Sequence, residues 1–154
     1  MNANKRKSHW AWLAGLLVCA LARAGEPSAE ERAIAYLARE FPLWSRQNGC
    51  YSCHNNGDVA RALYAARRLS FAVPDEALRD TTRWLARPGQ WDSNRGDPAF
   101  SDKKLARIQF AASLVEAFDA GLVTDRAALV EAAESLLPYQ EPGGSWQGQA
   151  EAAL

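Results

Sequence analysis

Downstream of residue 25, apolar side chains recur every three or four positions, and no stretch alternates apolar with polar long enough to suggest a sheet. That is the period of a helix face and not of a strand. Ile34, Leu37 and Phe41 make one stripe, Val59, Leu63 and Ala66 a second, and Leu78, Trp84 and Leu85 a third. A fourth runs through Leu105, Ile108, Phe110, Leu114 and Phe118. The predicted fold class is all-α, built from antiparallel helix pairs.

Punctuation residues set the expected boundaries. Ser28 and Glu31 read as a capping box, each side chain satisfying an orphan N–H of the first turn. Pro42 is expected to end or kink that helix, because it lacks an N–H and crowds the preceding turn, leaving Trp44 near the exit. A second helix is predicted over 58–69, with Asn55, Asn56 and Asp58 as its caps. Pro74 and Asp75 open a third. The Gly-, Pro- and Asp-rich stretch 88–102 reads as a loop, Gly121 as the stop of the fourth helix, and 125–137 as the fifth.

Residues 1–24 carry a different pattern: basic Lys5, Arg6 and Lys7, an apolar run from Trp10 to Leu21, then small Ala22 and Ala24. This is the order of a secretory signal, and cleavage is expected after Ala24, leaving one helical-repeat domain over 25–154. The run is short for a membrane span, which needs about 20 apolar residues, so membrane contact is expected only through an uncleaved segment. Val18 before Cys19 argues against lipid attachment. Removal of Lys5, Arg6, Lys7 and Arg23 leaves 14 basic against 18 acidic residues, a charge of about −4. No basic cluster remains to meet nucleic-acid phosphates, and the expected location is periplasmic or secreted.

The helices read as repeated pairs. Tyr36-Leu37-Ala38-Arg39 before Trp44 is similar to Trp84-Leu85-Ala86-Arg87 before Trp91, at an offset of 48. Val73-Pro74-Asp75 is similar to Val123-Thr124-Asp125, at an offset of 50, and a third unit ends at Gly144-Ser145-Trp146. The segment Gln140-Glu141-Pro142-Gly143-Gly144-Ser145-Trp146 resembles the Gln-to-Trp repeat of squalene-hopene cyclases and related prenyltransferase-like proteins. The resemblance implies a partial α/α toroid, or a smaller helical bundle where the ring does not close. It does not extend to cyclase catalysis, because the acidic Asp-rich motif of that family is missing. An enzyme is not expected. Repeat arrays need neighbours to cover their end faces, so the edge after Trp146 is expected to be disordered or to meet a partner.

Chemistry concentrates at Cys50-Tyr51-Ser52-Cys53-His54. Two thiols three positions apart can each add to one vinyl group of the same porphyrin, with the adjacent imidazole beneath the iron. Over these five residues the chain resembles the haem-attachment sequence of cytochromes c. That implies one covalent haem c per chain, with Cys50, Cys53 and His54 binding the cofactor and His54 as metal ligand. A Cys50–Cys53 disulfide stapling a loop in a structural or interaction module is the main alternative. A redox-active pair lacks the surrounding βαβ pattern, and zinc needs four ligands, where residues 25–154 hold two cysteines and one histidine.

The far side of the iron has no obvious ligand, because His54 is the only histidine after residue 24 and Met1 the only methionine in the chain. An open position or a ligand from another chain is expected, with Lys103, Lys104, Asn55 and Asn56 as weaker internal candidates. Tyr51, Tyr64, Phe100, Trp44 and Trp91 are candidate pocket walls. A redox partner protein or a homo-oligomer is the expected partner, and electron transfer or small-ligand sensing the expected role.

Overall fold

The computed structural model describes residues 26–94 and 102–146. The signal sequence expected over 1–24, Phe100 and the edge after Trp146 lie outside the described residues. Those residues form an all-α structure, a small helical bundle, without a strand among them.

Helix α1 spans Ala29–Asn48. Its capping box forms as expected, Glu31 N–H donating to Ser28 Oγ at 3.2 Å and Ser28 N–H to Glu31 Oε2 at 2.6 Å. The expectation that Pro42 ends this helix is corrected, because the helix runs on through it to Gly49, whose φ of 63° closes the last turn. Proline forfeits one backbone bond. Burial of Ala38 and Phe41 on the adjoining turns holds the segment helical against that loss.

A π-helical segment, Cys53–Val59, leads without a break into α2, Ala60–Arg68. The second helical run thus starts earlier than expected, and its first part is wound wider. Helix α3, Asp75–Leu85, follows Pro74 at its N-cap. A 3₁₀ segment, Pro88–Ser93, takes up the first part of the expected loop. Helix α4 covers Lys103–Asp119, capped by Asp102, and Gly121 just beyond it has a φ of 71°. Helix α5 is Arg126–Leu136, capped by Asp125, with a 3₁₀ turn over Leu137–Tyr139.

Helix α4 is the central element, packed against the π segment, α2, α3 and α5. Phe110 and Leu114 lie fully buried among Leu63, Tyr64, Leu78, Leu85 and Trp91. Ion pairs close the rim: Arg67 to Asp75, Arg68 to Glu116 at 3.1 Å, and Arg107 to Asp92. Arg107 holds the Asp92 carboxyl below its ordinary range by hydrogen bonding. No described helix is long and apolar enough to cross a membrane.

Tyr64 gives the core a pH limit. Burial pushes its phenol up to about 12, against the pull of its 2.8 Å bond to Thr82 Oγ1. The neutral form is favoured in the fold, so this stability is full below pH about 10, the unfolded value, and is lost as pH rises through 12. The gap corresponds to roughly 2–3 kcal/mol. Denaturant titrations at pH 9 and above 11 are expected to show a steeper alkaline loss for the native chain than for Tyr64→Phe. Parallel losses would contradict the assignment.

Candidate functional site

The motif sits where α1 hands over to the π segment, and buried polar bonds hold it there. Ser52 caps the segment, Asn55 N–H donating to its Oγ at 2.9 Å. Asn56 is fully buried. Its Oδ1 accepts from Ser52 N–H at 2.9 Å, and its Nδ2 donates to Thr81 Oγ1 on α3 at 2.8 Å. One residue on, Gly57 C=O accepts from buried Ser113 Oγ on α4 at 2.6 Å. The backbone lies so close to α4 that a Cβ at Gly57 would meet Gln109 Cβ at 3.1 Å, a contact tight enough that α4 would have to give by a few tenths of an ångström to admit a side chain.

Tyr51 fastens the other end of the loop. Its N–H donates to Asn94 Oδ1 at 2.9 Å, and Asn94 Nδ2 donates back to its carbonyl. Its ring stacks on Trp84 at 4.3 Å and 10°, and Trp84 meets Phe110 edge-on at 4.5 Å. Wide π turns are uncommon and concentrate at functional sites. Here the turn aims Asn56 and Gly57 inward while His54 and Asp58 stay exposed.

The three motif residues are left to face outward or to the rim. Cys50 and Cys53 are free thiols, both half-buried. Burial is the largest influence on Cys53 and raises its thiol above the ordinary value. Backbone hydrogen bonds of His54 and Cys53 lower it, and the charges of Asp58 and Asp102 add to the rise. A redox-exchange cysteine needs the opposite, a lowered value that supplies thiolate. The His54 side chain is 83% exposed, with Nδ1 3.7 Å from Asp58 Oδ2.

A groove of about 290 Å³ runs between α1 and the π segment, lined by Leu37, Phe41, Leu43, Trp44 and Val59, with Tyr36, Glu40, Gln47 and Asn55 among its polar contributors. That volume lies just under the ~300–1,000 Å³ typical of ligand clefts. Asn55 and Val59 of the π segment line it, and Cys50, Cys53 and His54 do not.

Several expected roles are redistributed. Asn56 is neither a cap nor a candidate iron ligand, because both ends of its amide are hydrogen-bonded in the core. Ser52 is the cap in place of Asn55, Asn56 and Asp58. Tyr64 is committed to the core and is corrected as a pocket wall; Trp91 packs in the core and has one edge on a small pocket, whereas Trp44, 37% exposed, lines the groove. Tyr51 faces Trp84 and Asp80 in a separate, more polar recess. Lys104 rests over the Tyr139 ring at 5.7 Å, and Lys103 lines a small pocket with Trp91 and Arg107.

Sequence reasoning gave Asn56 the wrong role and missed Thr81 and Ser113. The signal for the last two was present. Thr81 and Ser113 interrupt the apolar stripes of Leu78 with Leu85 and of Phe110 with Leu114, and a polar residue on a core stripe requires a buried partner.

No protein-family model, curated protein or solved structure matches the chain. Among the described residues, no three of His, Cys, Asp and Glu converge to hold a metal ion.

Proposed function

We propose that this is a c-type haem protein, exported to the periplasm or beyond, which carries one haem on Cys50, Cys53 and His54 and passes single electrons or senses a small ligand at the iron. The observation that carries the reading is a loop locked from beneath by Asn56 and Gly57 that leaves two free thiols and an exposed imidazole at a π segment whose Asn55 and Val59 line a groove.

The residues fit the group. Each thiol would add across one vinyl double bond, its sulfur going to one carbon and its hydrogen to the other, so no oxidant is needed. His54 would supply a nitrogen ligand to the iron. Leu37, Leu43, Trp44 and Val59 would shield one porphyrin face from water. When bound, the haem supplies a one-electron ferric/ferrous couple. What the chain would contribute is a firm mount, the motif being tied down by the paired bonds of Asn94 to Tyr51 and of Asn56 to Ser52 and Thr81. No second histidine and no methionine follow residue 54 in the sequence, so a further ligand to the iron would be a small molecule, a group from a redox partner or a second copy, or one of Lys103, Lys104 and Asn55. The cyclase-like repeat remains a proposal about ancestry and adds no chemistry.

Acid-acetone extraction of protein made alongside a haem-attachment system tests the reading. The native chain is expected to keep its colour in the protein pellet, and Cys50→Ala/Cys53→Ala to release all colour to the supernatant. A colourless native chain with the two sulfurs joined would overturn the proposal and leave a stapled helical scaffold.

A further inference from the structure

We propose that Asp58 is the positioning residue for His54, its carboxylate taking the Nδ1–H so that Nε2 is presented to iron. The inference deepens the haem reading and rests on it. An imidazole bound to metal through one nitrogen has its tautomer and ring direction set by the acceptor on the other nitrogen. Packing cannot set that direction here, because the His54 side chain is 83% exposed.

Asp58 stands four residues on, along one stripe of the π segment, with Oδ2 3.7 Å from Nδ1. Both side chains are exposed, so small rotations close the remaining gap to a hydrogen bond. The carboxylate is steadied from behind, its Oδ1 lying 3.7 Å from Arg61 Nη1. Imidazole, carboxylate and guanidinium thus lie in sequence, each pair 3.7 Å apart, within ion-pair range and just beyond hydrogen-bond distance. The backbone beneath them is fixed, because the intervening Asn56 and Gly57 are tied to α3 and α4. Any solvated ion pair of this spacing contributes little to folding, and the role assigned to Asp58 is electronic and directional: a carboxylate on Nδ1 makes the imidazole a stronger donor, which favours ferric over ferrous iron.

The test uses the haem-loaded full chain and its Asp58→Ala, Asp58→Asn and Asp58→Glu variants, with Glu134→Gln as the comparison. Glu134 is exposed on α5 and lines no part of the groove. Asp58→Ala is expected to move the ferric/ferrous equilibrium roughly tenfold toward ferrous, about 59 mV for one electron, and to lower the iron–histidine stretching frequency of the ferrous protein. Asp58→Asn is expected to fall between, Asp58→Glu to restore most of both signals, and Glu134→Gln to leave the stretch unmoved. A loaded Asp58→Ala protein within twofold of the native equilibrium, with an unchanged stretch, would overturn the role of Asp58 while leaving the haem reading intact. A native chain that takes up no haem would overturn both.

Discussion

Truncating Phe110 to alanine is expected to cost about 3–5 kcal/mol of folding free energy, a large share of the 5–15 kcal/mol typical of a domain. Phe110 is 1% exposed. It meets Trp84 edge-on at 4.5 Å and Trp91 at 5.8 Å, so the cavity left behind is walled by two bulky rings that cannot collapse into it. The effect reaches the motif, because Tyr51 stacks on the Trp84 face. Urea denaturation followed by tryptophan fluorescence checks the size, and Phe110→Leu, which refills much of the space, is expected to lose under half as much. A Phe110→Ala protein within about 1 kcal/mol of native would contradict the assignment of α4 as the centre of the core.

Asn56→Ala carries the second large effect, expected at about 3 kcal/mol. The amide connects Ser52 N–H to Thr81 Oγ1, and its removal strands a donor and a hydroxyl where little water can replace it. Asn56→Asp keeps the acceptor and the shape but buries a charge, and is expected to be at least as costly. Asn55→Ala, one residue away on the groove side, is expected to cost under about 1 kcal/mol. Equal losses at the two positions would contradict the description of Asn56 as the brace beneath the motif. Denaturation midpoints of the three variants decide it.

The helices were legible because their signals are local. Ser28 with Glu31, Pro74, and Gly121 mark ends through backbone chemistry that depends on a few neighbours, and the stripes of Leu63, Leu78 and Leu114 report burial directly. Pro42 shows the limit of such signals: a breaker judged by its own missing N–H was outweighed by Ala38 and Phe41, whose burial depends on elements distant in the chain. The motif was legible as residues and not as geometry. Cys50, Cys53 and His54 stand out by their spacing, but nothing in the sequence around them says that the following turn is π-wound. Asn56 was read as a cap for the same reason. Its partner Thr81 is twenty-five positions away, and no local rule connects the two. The aromatic residues divided in the same manner, since Trp44 and Trp91 follow similar four-residue segments yet one lines a groove and the other is buried.

The central claim is that the paired sulfurs carry a porphyrin through covalent bonds. Intact-protein mass spectrometry under denaturing conditions, on chain produced together with haem-attachment machinery, addresses it most directly. The account predicts a polypeptide heavier by one haem, with the added mass lost from Cys50→Ala/Cys53→Ala. A native mass equal to that of the polypeptide alone, or lighter by the two hydrogens of a disulfide, would contradict it.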